Sequence, residues 1–465
     1  MKMTLARVAE ALGGRLVAAD PQAAALEVSD FSIDTRTLKR GALFFAIVGP
    51  NHDAHRFVPE AFRRGARAAV VHCEPRDPAA GPLVRVADTT RALQDLAAHV
   101  RRSLPARVVA VTGSAGKTTT RAMAERAAAT LGPTLGSPGN LNNLYGLPLA
   151  LLALEAHHRT AVLEAGMSRP GELARLTEIA GPDVGVLTNV HPVHLEYFGT
   201  LEKIAAAKEE LFAGMRAGTT AVMNADDARV MAIAGRFARR GGRVLTFGME
   251  RDADLKAERV QTDESGTRAR VLGRGESADL TLRFHGAHQL MNALAALGAG
   301  VALGGSLAAI CRALARMEPL ERRGNLLTLP GRVRVLNDCY NSNPPAFEQA
   351  LRALEQVATR GRRLVVAGDM LELGPLEAEA HRLAGERVAR AGVDLFFGVG
   401  PRMAAAVEAA RAAGLESARH FSDAEAAAAA LEREVRPGDT LLVKGSRGVH
   451  LEKVVEALTR SHAPK

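Results

Sequence analysis

A chain of 465 residues exceeds what one hydrophobic core supports, so two to four domains are expected. Hydrophobic residues at 47% and charged residues at 24% are ordinary for a soluble globular protein. Cys73, Cys311 and Cys339 show no CxxC or Cys/His spacing, which argues against a disulfide framework or a zinc site and fits a reducing compartment.

The net charge of +9 leaves two readings, a diffuse arginine-rich surface or a field that attracts polyanionic substrates such as nucleotides. No basic run is interleaved with aromatics, so nucleic-acid binding is not expected. The opening MKMTLARVAEALGGRL reads as an amphipathic helix without the continuous apolar core of a signal peptide. No run of about 18 uncharged apolar residues occurs, so a cytoplasmic protein without membrane insertion is expected.

Residues 1–85 carry short strand-like runs, GALFFAIVG and ARAAVV, around the turn-rich GPNHDAHRF. The stretch 86–107 reads as a connecting helix. From RVVAVTG onward, apolar runs (TAVLEAG, DVGVLTNV, TTAVMNADD, RVLTFGM) alternate with helical stretches, the signature of parallel α/β architecture. Between about 252 and 285 alternating polar and apolar residues predict a small antiparallel insert before the helix HQLMNALAALGAGVAL. A second α/β series begins near LPGRVRVLND, with RRLVVAGD, DLFFGVG and DTLLVKGS as strands. The expectation is an α/β protein of three domains: a small domain over 1–85, a central P-loop domain over 86–320 and a Rossmann-like domain over 321–465.

The strongest local signal is VVAVTGSAGKTTT at 108–120. A buried strand enters a glycine turn and a helix starts at once, so backbone N–H groups of Gly113 to Lys117 can point at phosphate oxygens at the positive end of the helix dipole. Lys117 would neutralise terminal phosphates and the Thr118 hydroxyl would reach a Mg²⁺. Val111 stands where the longer Walker loop has its first glycine.

Glu164 closes the strand of TAVLEAGMS, where a carboxylate would sit beside the phosphate loop as a metal ligand. LTNVHPVHLEYFG groups His191, His194 and Glu196 at another strand end, and either imidazole could be a Mg²⁺ ligand. On spacing alone, Lys208 in IAAAKEELF reads as an ordinary helix-surface lysine. Asn292 is a polar amide in an alanine-rich helix, Arg332 stands in the turn PGR, and Asp338 ends RVLND.

In this order, TGSAGKT, GNLNNLYGLPL, LEAGMS, TNVHPVHLEYFG, AKEELF and NALAAL resemble the ATP-binding domain of the Mur ligases. FSIDTRTLKRGALFFAIVG resembles the uridine-nucleotide domain of the later members of that family. NDCYNSNPPAF, VVAGDMLELG and KGSRGVHLEKVV resemble the branch that adds D-alanyl-D-alanine to UDP-N-acetylmuramoyl-tripeptide. The resemblance implies ATP and Mg²⁺ as cofactors, those two compounds as substrates, and a monomer.

It also implies roles. Gly113, Ser114, Ala115, Gly116, Lys117, Thr118 and Thr119 would bind ATP, with Asn292 at the adenine, Arg332 at a phosphate and Asp338 at the ribose. Thr118, Glu164 and His194 would hold the metal; Lys117, Lys208 and His194 would serve catalysis. Lys208 matches a lysine that is carbamylated in some relatives. Asp34, Thr35 and Arg36 match the nucleotide-sugar motif, while HDAHRF places Ala54 where that family has glycine.

The rival readings are the tripeptide-forming Mur ligase, whose arginine-containing motif is missing here, a folylpolyglutamate synthase, which lacks a uridine-type domain, and a P-loop regulatory switch, which would carry NKxD.

Overall fold

The computed structural model describes residues 2–49, 52–73, 81–193, 195–263, 265–273 and 275–462. Among these the strands form three main sheets and one short pair, Met3–Thr4 with Glu27–Val28. No helix among them is long and apolar enough to cross a membrane.

The N-terminal sheet orders its strands Arg15–Val17, Leu83–Arg85, Ala68–Val71, Leu43–Phe45 and Phe31–Ser32, parallel except at the first pairing. The next helix, Thr89–Ser103, is no mere connector. Asp88 caps it by accepting from Thr90 and Arg91 amides, and Arg101 and Arg102 suit the negative end of its dipole. Its Leu93, Leu96 and Val100 join Phe45 and Val70 of the first sheet to Val108 and Leu163 of the next in one apolar core. The first two sheets therefore share their packing.

The central sheet has nine strands, in the order Glu276–Leu282, Gly266–Gly273, Leu255–Asp263, Arg243–Gly248, Thr220–Asn224, Val184–Leu187, Arg107–Thr112, Thr160–Glu164 and Thr134–Gly136. Its central parallel strands, Arg107–Thr112, Thr160–Glu164, Val184–Leu187 and Thr220–Asn224, are covered on both faces and read as apolar runs rather than alternating ones. On Arg107–Thr112, Val108 and Ala110 face the core shared with the N-terminal domain. Val109 and Val111 face the helix Ala287–Ala302 through Leu290, Leu294 and Leu297.

The antiparallel strands expected over 252–285 are present but do not form a separate unit. Leu255 and Lys256 pair in parallel with Phe247 and Gly248, so the hairpins extend the central sheet.

The C-terminal sheet runs Asn325–Leu329, Val333–Asn337, Thr440–Lys444, Arg363–Gly368, Leu395–Val399 and Ala418–Phe421, parallel except at the first pairing. Its last strand in sequence, Thr440–Lys444, inserts beside the first parallel one. That makes a topological switch point, outside whose strand ends ligands collect in open α/β sheets.

Leu93 is fully buried where the first two domains share their core. Leu93→Ala is expected to lower stability by about 2–5 kcal/mol through lost transfer energy and the cavity left behind. Urea denaturation measures it; a loss below about 1 kcal/mol would mean that the helix is not integral to the core.

Candidate active site

The strand Arg107–Thr112 passes through Gly113–Gly116 into the helix Lys117–Ala128. Two of the glycines are obligatory. A Cβ on Gly113 would stand 1.8 Å from Thr188 Oγ1, and one on Gly116 2.1 Å from Asn292 Oδ1, and both residues have positive φ (152° and 79°).

The loop is laced to the end of the neighbouring strand. Ser114 N donates to Asn189 O at 3.1 Å and Ala115 N to Asn189 Oδ1 at 2.9 Å. Thr188 Oγ1 donates to Ala115 O at 2.7 Å, and Ser114 Oγ accepts from His191 N at 2.8 Å. This corrects the expectation that every amide from Gly113 to Lys117 faces a phosphate, because those of Ser114 and Ala115 have protein partners. The helix's own first amides remain suited to an anion, since its internal ladder begins only with Thr120 N to Gly116 O.

Lys117 folds back over this loop, donating to Gly113 O at 2.8 Å. Burial draws its pKa down from the usual lysine value, opposed by nearby Glu164 and reinforced by Arg323.

Glu164 closes the adjacent parallel strand and is 2% exposed. Its Oε1 accepts from Asn142 Nδ2 at 2.8 Å, whereas Oε2 is buried without a hydrogen-bond partner. A buried carboxylate oxygen in that state is costly unless a cation or donor reaches it.

Lys208, in the helix Leu201–Ala213, is 2% exposed, so the surface-lysine reading fails. Spacing could not reveal this, because the elements that pack on that helix, Glu172–Ala180 and Val184–Leu187 among them, meet it only in the tertiary structure. Burial first, and then the charge of Lys117, holds the Lys208 ammonium well below its ordinary value. Burial and Lys208 also lower His191, with Asp227 opposing, and His191 lines the cleft. Glu196 is exposed on the short helix Leu195–Phe198 and does not line the cleft. His194 lies outside the described residues.

The opposite wall belongs to the C-terminal domain. Asp338, Tyr340, Asn341 and Lys444 face the P-loop across a cleft of about 1100 Å³, larger than a pocket for one small ligand. Asp338 Oδ2 accepts from Lys444 Nζ at 2.5 Å.

Asn292 reaches the cleft as a brace. Its Oδ1 accepts from Thr120 Oγ1 at 3.2 Å and its Nδ2 donates to Gln289 at 3.1 Å. His288, one turn earlier, is pushed down to about 4, chiefly by burial, and is therefore neutral.

Arg332 is not in the site. It occupies the turn of the antiparallel hairpin Asn325–Leu329/Val333–Asn337, exposed and with φ of 58°, at the opposite end of the strand from Asp338. Six residue steps along the strand separate the two by roughly 20 Å. Of the arginines that line the cleft, Arg323 is the one bonded to the helix that follows the glycine loop. Its Nη2 donates to Thr118 Oγ1 at 3.0 Å, its guanidinium stacks 3.7 Å from the Tyr340 ring centroid, and its carbonyl accepts from Gln289. Nothing in EPLERRGN marks Arg323 over its neighbours; Lys444 could have been found by the strand-end argument that picked out Glu164.

Asp34, Thr35 and Arg36 lie off the cleft, after the strand Phe31–Ser32. Asp34 takes a forked contact from Arg36, Nε at 3.0 Å and Nη2 at 2.6 Å, and that hydrogen bonding holds its carboxyl below the usual range. The strand packs beside the helix Gly146–Leu152, whose preceding turn lines the cleft. Among the described residues one His/Cys group has metal-like spacing, His55, His72 and Cys73. It is a poor cation site, because His55 Nδ1 is held by Asp53 and Nε2 accepts from His72 N.

Residues 111–300 match the family described as Mur ligase middle domain, and residues 316–447 that described as Mur ligase, glutamate ligase domain. The chain is 34% identical over 461 residues to the UDP-N-acetylmuramoyl-tripeptide–D-alanyl-D-alanine ligase of Escherichia coli strain K12, with 98% of each chain covered. Its fold is similar to a crystal structure of MurF from Acinetobacter baumannii, with a TM-score of 0.89, 28% identity and 99% of each chain covered. It is also similar to the MurF ligase of Thermotoga maritima in complex with ADP, with a TM-score of 0.82, 30% identity, and 93% of this chain and 98% of that one covered.

Arg323→Ala is expected to weaken ADP binding about tenfold or more, the factor one charge-assisted hydrogen bond carries. Arg332→Ala, at an exposed turn, is expected to leave it within about twofold. Calorimetry with ADP decides between them; a comparable loss in Arg332→Ala would return that residue to the site.

Proposed function

The chain belongs to the Mur ligase family, and from that premise we propose that it joins D-alanyl-D-alanine to UDP-N-acetylmuramoyl-tripeptide, converting ATP to ADP and phosphate in the cytoplasm. The observation that carries this reading is the similarity to the E. coli ligase over 98% of both chains, which spans both walls of the cleft.

The chemistry explains the cleft. A carboxylate is a poor electrophile, and transfer of the γ-phosphoryl group converts it to an acyl phosphate with a good leaving group. The dipeptide amine then attacks the acyl carbon, loses a proton, and phosphate departs as the amide forms. The first step needs positioning and charge neutralisation more than covalent help. Lys117, released from the loop carbonyls, supplies a positive charge to the β- and γ-phosphates, and the amides of Lys117–Thr119 supply oriented dipoles. Arg323 takes the phosphate-contacting role expected of Arg332. Asn292 and Asp338 contact adenine and ribose, and Asp34, Thr35 and Arg36 hold the uridine nucleotide.

The residues fit a Mg²⁺ ion. Glu164 offers a buried oxygen with no other partner, and Thr118 Oγ1, although it accepts from Arg323, keeps a second lone pair. Glu164 and Thr118, with His194 as the further ligand expected from the resemblance, would hold the ion, which would supply positive charge against the phosphates.

A lysine buried next to another lysine is readily deprotonated, and a neutral amine adds CO₂ to give a carbamate and a proton. That is the state proposed for Lys208: the carbamate would replace a buried cation with an anion that could serve a second Mg²⁺. Lys208→Ala is expected to lose activity and to regain part of it with formate or acetate at millimolar concentration. No rescue, with an unmodified mass at high bicarbonate, would leave an uncarbamylated lysine.

The activity itself is tested with defined substrates. ADP release should require both the UDP-tripeptide and D-alanyl-D-alanine, and the product mass should equal their sum less one water. Lys117→Ala should lower kcat about 10²–10³-fold with the fold intact. Turnover with a UDP-dipeptide and a diamino acid, and not with the tripeptide, would sink the proposal in favour of the tripeptide-forming ligase.

A further inference from the structure

Asp338 and Lys444 follow from strand register. Val333–Asn337 and Thr440–Lys444 are parallel neighbours with Asn337 opposite Val443, so the next residue of each stands side by side at the carboxyl edge of the sheet. Asp338 N donates to Val443 O at 3.0 Å, which fixes the main chains of the pair.

The two side chains are not equivalent. Lys444 has a side chain only 3% exposed, and its Nζ donates to Asp338 Oδ2 at 2.5 Å and to Asn341 O at 3.0 Å. Both residues line the cleft, and the Asp338 side chain, 18% exposed, is the more open of the two. An ammonium so enclosed is committed to partners inside the protein. Lys444 takes Oδ2 of Asp338, which leaves Oδ1 as the acceptor that the pair can offer a ligand. The facing His288 is neutral and supplies no competing charge.

An aspartate χ2 is a broad, nearly free rotor, and binding a ligand through it costs the entropy of stopping that rotation. A charge-assisted hydrogen bond to one oxygen stops it in advance. We propose that Lys444 is a positioning residue for the nucleotide: through Oδ2 it fixes Asp338 so that Oδ1 is aimed at a ribose hydroxyl. This rests on the reading of Asp338 as the ribose contact, and the two are separable by experiment.

Affinities for ADP, 2′-deoxyADP and 3′-deoxyADP are measured by calorimetry for the full-length protein and for Lys444→Met and Asp338→Asn, and KM for D-alanyl-D-alanine is measured alongside. Methionine keeps the length of the side chain and removes the charge. Lys444→Met is expected to bind ADP about tenfold more weakly, the factor of one charge-assisted hydrogen bond, to bind the deoxy analogue lacking the contacted hydroxyl as the parent does, and to keep the KM for the dipeptide. Equal weakening for all three nucleotides would make Lys444 merely structural, and a raised dipeptide KM with unchanged ADP affinity would make it a reader of the second substrate; either overturns the proposal.

Asp338→Asn separates the two levels. If it still discriminates ADP from both deoxy analogues as the parent does, Asp338 is not the ribose contact and the proposal falls with it. If it loses that discrimination while Lys444→Met keeps it, the Asp338 reading stands and the role of Lys444 fails. Should Lys444→Met not fold, the neutral pair Lys444→Met/Asp338→Asn replaces it. It should match Asp338→Asn, and a further loss specific to ADP would overturn the proposal.

Discussion

Asn189 bonds the glycine loop three times, its carbonyl oxygen taking the Ser114 amide, its side-chain oxygen the Ala115 amide and its side-chain nitrogen donating to Ala115 O, and the geometry of the cleft depends on this fastening. A glycine-rich loop has more backbone freedom than any other segment type, so a cradle for phosphates must be over-determined by its surroundings. Here the surroundings are strand ends. Thr188 is itself held by Asn224 Nδ2, and Val190 N by Asp227, so the ends of two neighbouring parallel strands brace one loop. Because the loop passes under Thr188 and Asn292 with no room for a Cβ, glycine at 113 and 116 is a packing requirement as much as a conformational one.

The same edge gathers charge. Lys117 feels the charges of Arg323 and Glu164 and is itself felt by Lys208, and burial draws the pKa of all three cations down. A cluster of cations held out of water is unfavourable until an anion arrives, and this is the condition in which a polyphosphate binds best. The cost is met by the strong scaffold on either side of the cleft, whose sheets are apolar on both faces.

Two sheets meet at the cleft with their carboxyl edges opposed. The central one delivers the loop and Glu164; the C-terminal one delivers Asp338 and Lys444. Between them runs the linker that carries Arg322 and Arg323. Arg322 pairs with Glu452 and Glu456 of the last helix, while Arg323 reaches Thr118. Adjacent residues thus hold one domain and touch the glycine loop's helix in the other.

Local pattern determined a good deal by itself. The apolar runs at 108–112, 160–164 and 184–187 are buried on both faces, so continuous hydrophobicity marked them as parallel strands, and Glu164 and Asp338 were legible because a polar residue ending such a run must sit at the carboxyl edge. What the tertiary structure alone decided were relations between segments far apart in the chain. Arg332 and Arg323 both precede a strand in a polar turn, and only the antiparallel pairing of Asn325–Leu329 with Val333–Asn337 sends one away from the cleft and keeps the other in it. Lys208 has the spacing of a surface residue and is buried by a segment that its own helix does not encode. Lys444 meets Asp338 across 106 residues because the last strand inserts beside the first parallel one. Periodicity reports which face of an element avoids water, and it carries no information on which distant element will cover that face.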